Sequence, residues 1–319
     1  MATLPAPADP TLEAVDRALE ALGRSRPPRP HLGMSQIGSA CERALWYDFR
    51  WATAPNFDAD TLKRFEDGHR TEDLQAERLR LADGIMLLTH DPDTGRQYGF
   101  NDHGGHFGGS VDGMVLGLTQ APKTWHIWEH KCVGDKVLAE VEKLKQTYGE
   151  KGALKRWRGT YYAQAVLYMH YAGIDRHYMT ISSPGGRRTV SLRTEADETE
   201  AARLIARAKR IIDAQHPPTR ISERPDWWQC RMCSHNAICH GSDLPRINCR
   251  TCLHSTPVDG GWHCARWDVP LSAKEQREGC PAHLYIPSLV PGKQQDAGDD
   301  WVSYRMPDGS TWVDGSREQ

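Results

Sequence analysis

Nine cysteines in 319 residues constrain this chain more than any other feature of its sequence. Seven of them (Cys230, Cys233, Cys239, Cys249, Cys252, Cys264 and Cys280) fall within 51 residues near the C-terminus. Cys41 and Cys132 stand apart. The opening MATLPAPADPTLEAVDR lacks the basic start and apolar run of a secretory leader, so a cytoplasmic, reducing setting is expected. There, clustered thiols bind metal rather than pair as disulfides. The stretch 228–284 is too loop-like and too marked by Pro and Gly to own a large apolar core. Metal would have to hold it together.

The rest of the chain can fold conventionally. Apolar residues make up 39%, and no run approaches the roughly 20 needed to span a membrane, so no membrane contact is expected. Forty basic residues face 42 acidic ones, for a net charge of -2. Contact with nucleic acid would therefore depend on local patches. Gly292-Lys293 has neither a glycine-rich loop before it nor Ser/Thr after it, so no P-loop is present and no ATP is expected.

Residues 1–10 read as a tail, and TLEAVDRALEALG as a short amphipathic helix ended by the Pro cluster RPPRP at 26–30. Helices are predicted from Ser39 through SACERALWYDFRW and over Ala59 to Leu81. Strands are predicted over 84–90, 104–117 and 123–132. Helix broken by Gly149 and Gly152 covers 135–157, and a second helix covers 159–171. HYMTIS and TVSLRT make a hairpin, and TEADETEAARLIARAKRIIDAQ is a helix with acids first and bases last. The pattern predicts an α/β core, a mixed β-sheet flanked by helices. Residues 292–300 read as a linker before a terminal hairpin about Asp308-Gly309.

Within that core, SVDGMV places Asp112 on or beside a strand, and WEHKC puts Glu129 and Lys131 two apart on one face of the next. Two carboxylates and a lysine at a sheet edge can hold Mg²⁺ or Mn²⁺ and position a water for attack on phosphate. His69 and Glu72 share a face of the preceding helix, and Gln164 and Tyr168 share a face of the following one.

The order Gly-x-x-x-Glu, Asp, Glu-x-Lys, Gln-x-x-x-Tyr resembles the RecB-like branch of the PD-(D/E)XK nucleases. That branch includes lambda-type phage exonucleases, the nuclease domains of RecB and AddB, and CRISPR-associated RecB-like nucleases. The match runs over about residues 33–240, with Val111 where the family has proline. The resemblance implies a restriction-endonuclease-like core in which Asp112 and Glu129 ligate the metal, helped by the backbone carbonyl of His130. Lys131 would orient or activate the water, Glu72 or His69 would complete the metal shell, and Gln164 and Tyr168 would shape the site. The expected activity is ATP-independent exonuclease cleavage at DNA ends, single- or double-stranded. The expected setting is a bacterial cell or phage-infected host, with a single-strand annealing recombinase as partner. A CRISPR-associated end-trimming nuclease and a non-catalytic DNA-binding scaffold are the alternatives.

Cys230-x2-Cys233-x5-Cys239 with the distant Cys41 resembles the iron–sulfur staple of AddB-type nucleases, implying a 4Fe-4S cluster that ties the chain's start to its end. His235 and His240 lie close enough in sequence to substitute. Cys249-x2-Cys252-x11-Cys264-x15-Cys280 resembles a zinc-ribbon arm for one Zn²⁺, with His254, His263 or His283 as substitutes. Lys151, Lys155, Arg156, Trp157 and Arg158 lie in a basic, aromatic stripe suited to DNA. The expected organisation is a tail and helix over 1–30, a nuclease core over 31–242, a zinc-ribbon-like module over 243–290, and a linker and hairpin over 291–319. A chain ending after His240 is expected to keep the cluster and some cleavage.

Overall fold

Asp9 begins the first helix by accepting the N–H groups of Thr11 and Leu12 at 3.1 Å each, with Pro10 in the first turn where its missing N–H costs nothing. The computed structural model describes residues 9–315. Most of the tail expected over 1–10 lies outside them, and Pro10 belongs to the helix.

Helix α1 (Pro10–Ser25) gives way at the Pro cluster to an extended segment leading into β1 (Leu32–Gly33). α2 (Glu42–Phe49) starts later than Ser39, because Cys41 is its N-cap and its Sγ accepts the Ala44 N–H at 3.4 Å. α3 (Ala59–Arg80) is capped by Asp58. Strands β2 (Met86–Leu88), β3 (Gly99–Asp102), β4 (Phe107–Ser110), β5 (Gly113–Leu116) and β6 (His126–Cys132) follow. α4 (Asp135–Trp157) kinks where Gly149 takes φ 72°, and α5 (Gly159–Ala172) runs on from it. β7 (Arg176–Ser182) and β8 (Thr189–Glu195) form the expected hairpin, and α6 (Glu198–Asp213) closes this half.

The central sheet has the order β2-β5-β6-β7-β8, antiparallel except for the β6–β7 pair. A parallel neighbour demands a long crossover, which α4 and α5 supply. A second, separate sheet has the order β1-β4-β3. The stretch 104–117, predicted as one strand, divides. A 3₁₀ turn (His103–Gly105) precedes β4 in the second sheet and β5 in the central one, and Asp112 sits in the bend between them. Its glycines supply neither side-chain packing nor a fixed backbone, so the chain can change sheets there.

Beyond α6 come two short helices, α7 (Trp228–Arg231) and α8 (Asn236–His240), then a 3₁₀ turn over Cys249–Thr251. β9 (Ser255–Val258), β10 (Gly261–Cys264) and β11 (Val269–Leu271) form an antiparallel sheet, followed by α9 (Ala273–Glu278). Residues 292–300 are not a linker. They carry β12 (Lys293–Ala297), which pairs with β13 (Trp301–Arg305), itself paired with β14 (Thr311–Gly315).

The core does not stop at residue 242. Trp262, Ile286 and Leu289 belong to the same buried cluster as Leu32, Met34, Trp46 and Phe49. Two buried arginines cross the boundary in opposite directions. Arg50, next after α2, donates to the carbonyls of Arg250 (3.1 Å) and Ser255 (3.4 Å). Arg250 donates to the carbonyls of Phe49 (3.0 Å) and Pro30 (2.9 Å). Trp262 lies beneath both guanidiniums, 5.0 and 4.7 Å away. Burial pushes Arg250 down to about 9, with Arg50 adding to the effect.

Candidate functional site

Side chains alternate along β6, so Glu129 and Lys131 leave one face while His130 leaves the other. The buried His130 ring packs away from the acids, with Nδ1 3.0 Å from Thr180 Oγ1 and Nε2 3.2 Å from Ser182 Oγ. Burial holds it down at about 4. Its backbone N–H instead serves the site, donating to Asp112 Oδ2 at 2.7 Å and fixing the carboxylate in its bend.

Lys131 Nζ lies 2.9 Å from Glu129 Oε2 and 3.9 Å from Asp112 Oδ2. Gln164, reaching from α5, donates to Glu129 Oε2 at 3.1 Å and to the Tyr168 hydroxyl at 3.3 Å. Close approach of β4 to that hydroxyl requires Gly109, since a Cβ there would meet it at 2.7 Å. Glu72, from α3, lines a cleft with Asp112 and His69. The predicted catalytic set therefore comes together from α3, the β4–β5 bend, β6 and α5.

Three carboxylates share one lysine, and the excess negative charge is felt. Burial, then Asp112, pushes Glu129 up to about 8; the same two causes push Glu72 up to about 7. Burial alone would lower Lys131, but Glu129 and Asp112 together raise it. Glu129 Oε1 is buried with no hydrogen-bond partner. A hard divalent cation fits this donor set of carboxylate oxygens with an orphaned acceptor. As the side chains stand, no three His, Cys, Asp or Glu groups among the described residues converge closely enough to hold an ion.

A groove opens beside the acids, lined by Lys131, Tyr161, Gln164 and Tyr168 and also by Arg29, His31, Ser35 and Ser110. Sequence alone offered no reason to place Arg29, His31, Ser35 and Ser110 at the site. The only signal was the basic segment RSRPPRPH, which reads merely as a helix breaker.

The cysteines of each expected set lie near one another without converging as an ion site. Cys41, Cys230, Cys233 and Cys239 line one cavity with Tyr47 and Arg220, and all are free thiols. Burial, then Cys239 and Cys41, pushes the Cys230 thiol up. His235 and His240 both line this cavity, and both ring nitrogens of His235 are engaged, with Thr53 at 2.9 Å and Asp48 at 3.0 Å. In the second set Cys249, Cys252 and Cys264 are buried and Cys280 is exposed. Burial pushes Cys249 up to about 12, with Cys252, Cys280 and Cys264 adding in that order. Of the alternative donors here, His283 meets Thr251 at 3.3 Å, His263 meets Asp268 at 3.4 Å, and His254 Nε2 is buried without a partner.

The basic stripe is less free than its sequence suggests. Lys151 pairs with Glu195, Lys155 lies 3.8 Å from Asp197, and Arg156 stacks 4.2 Å from the Tyr148 ring centre. The first two contacts tie the end of α4 to β8 and the start of α6, and the third stays within α4. Trp157 and Arg158 adjoin the groove through Tyr161, whose ring lies 5.3 Å from Trp157 and 5.8 Å from the Arg158 guanidinium.

No family model matches the chain, and no curated protein matches its sequence. Among solved structures it is similar to SSO0001, at 13% identity over 73% of this chain and 96% of that one, with a TM-score of 0.38. It is also similar to an alkaline exonuclease from Laribacter hongkongensis, at 17% identity over 61% and 90% of the two chains, with a TM-score of 0.36. The complex of that exonuclease with dAMP gives 14% identity, 62% and 90% coverage, and a TM-score of 0.36. Among the described residues no helix is long and apolar enough to cross a membrane.

Proposed function

We propose that the chain is a metal-dependent, ATP-independent DNA exonuclease with a PD-(D/E)XK, RecB-like core. The observation that carries this reading is the convergence of Asp112, Glu129 and Lys131, with Glu72 beside them and Glu129 Oε1 left unpartnered. Asp112 and Glu129, with the His130 carbonyl and Glu72 or His69, would hold Mg²⁺ or Mn²⁺. Such an ion supplies positive charge against a phosphate and makes bound water more acidic. The chain's own residues do the rest. Lys131 offers an ammonium to the attacking water and the phosphate oxygens. Gln164 holds the Glu129 carboxylate in register, and Tyr168 in turn holds Gln164. The groove walled by Arg29 and His31 supplies cation and hydrogen-bond donors along the path a DNA strand would take to Lys131.

The same reading assigns a 4Fe-4S cluster to Cys41, Cys230, Cys233 and Cys239, and a Zn²⁺ to Cys249, Cys252, Cys264 and Cys280. Support comes from the shared cavity of the first set and the mutual influence of the thiols in each. Phage-type recombination beside a single-strand annealing protein is the proposed setting, in the cytoplasm. The test is digestion of end-labelled single- and double-stranded DNA by anaerobically purified protein, with Mg²⁺ or Mn²⁺ and without ATP. Divalent-dependent loss of terminal nucleotides is expected in the wild type and not in Glu129→Gln. Intact label under every condition, or full activity in Glu129→Gln, would sink the proposal.

A further inference from the structure

We propose that Arg250 is a positioning residue. It fixes the Pro27–His31 strap that walls the groove beside Lys131, so the C-terminal module shapes substrate binding without touching substrate. What the groove holds rests on the nuclease reading; the mechanical link does not.

The strap cannot hold itself. Three of its five residues are proline, which fixes φ but removes N–H donors. Its carbonyls are instead caught from below. The Arg29 carbonyl accepts Trp51 Nε1–H at 2.8 Å, and the Pro30 carbonyl accepts Arg250 Nη2–H at 2.9 Å. Trp51 is itself held against its preference, at φ 54°, a region bulky residues avoid. Arg250 stacks on that indole, its guanidinium 3.6 Å from the ring centre. Asn248 adds a hydrogen bond to the Trp51 carbonyl at 3.2 Å. Arg250 is locked in turn by two bonds to Gln276 Oε1, at 3.0 and 2.8 Å.

On its other side the strap presents Arg29 and His31 to the groove that contains Lys131. The wall continues without a break. Leu32 N–H bonds the His106 carbonyl at 2.8 Å, and Met34 N–H bonds the Gly108 carbonyl at 2.9 Å, next to the glycine that Tyr168 approaches. Arg250 stands between Cys249 and Cys252, so the turn that carries these two thiols is also the turn that pins this wall.

Hydrogen exchange and steady-state cleavage on the full chain test this with Arg250→Met and Trp51→Phe. Trp51→Phe keeps a ring beneath the guanidinium but removes the bond to Arg29, and it serves where Arg250→Met fails to fold. Both variants should speed exchange at the Leu32 and Met34 amides while leaving the β6 and β7 amides protected. KM for DNA should rise roughly tenfold with kcat within about twofold, as loss of a pre-formed wall predicts. Unchanged exchange at Leu32 and Met34, or an equal rise throughout the central sheet, would overturn the proposal; the second would mark a merely structural role. Wild type that cuts no DNA removes the nuclease reading, and the exchange result still decides whether Arg250 holds the strap.

Discussion

Lys131 stands between two carboxylates, with a third beside them, and one ammonium cannot neutralise the set. Glu129→Gln, Asp112→Asn and Lys131→Met should each reduce cleavage by on the order of 10³-fold while the fold survives, checked by single-turnover kinetics and circular dichroism. The same crowding gives a pH signature in the metal-free protein. Burial and Asp112 raise Glu129 to about 8 and Glu72 to about 7, above the ordinary carboxyl value. Raised folded-state values mean that their contribution to stability is fully present below about pH 4.5 and is lost as pH rises through 7 and 8. With chelator present, Tm should fall across that window, and Glu129→Gln should flatten the slope; a Tm that rises there would contradict the assignment. At this scale the sequence was informative about the acids, because alternation along β6 and i,i+4 spacing on α5 put Glu129, Lys131, Gln164 and Tyr168 on defined faces. It was silent on Arg29, His31 and Arg250. Their roles come from a proline-rich segment folding back over a remote arginine, which no local periodicity encodes.

Elements carry the site through close approach. Gly109 lets β4 pass so near α5 that a methyl group would meet the Tyr168 hydroxyl at 2.7 Å and the Met34 Cβ at 3.1 Å. Gly109→Ala should therefore push Tyr168 and with it Gln164 away from Glu129. Overpacking of this kind costs about 1–3 kcal/mol. Cleavage should drop more than stability predicts, which kcat measured at a temperature where the variant is fully folded would reveal. Long elements could be read from sequence: α6 carries one apolar stripe through Ala201, Leu204, Ala208 and Ile211, whereas β6 and α5 are buried on more than one face. Two others could not. β12 reads KQQDA with every residue exposed, so only pairing to β13 makes it a strand. The glycine-rich 104–117 stretch alternates well enough to pass for one strand, but Asp112 turns away to meet the His130 N–H, and the chain changes sheet there.

Across the whole molecule, the boundary expected at 242/243 runs through a continuous core. A chain ending after His240 would strip Arg50 of the Arg250 and Ser255 carbonyls and leave the strap without Arg250. Each buried polar group so orphaned costs about 1–3 kcal/mol. Such a chain should unfold or aggregate, contrary to the separable arm suggested by sequence, and a well-folded truncated protein would refute this. The cysteines make the opposite ends interdependent in a second way. Cys41 caps α2 through its Sγ and lines the same cavity as Cys230, Cys233 and Cys239. Anaerobic protein should be brown with about four irons per chain. Cys41→Ser separates the two roles by sign. Serine is a favoured N-cap, so in chelator-stripped protein the substitution should be neutral or slightly stabilising. In iron-replete protein it should remove colour and lower Tm, because the tie between α2 and the α7–α8 region is lost. Equal stability of the two iron-replete proteins, with colour retained in Cys41→Ser, would take Cys41 out of the ligand set and return it to capping alone.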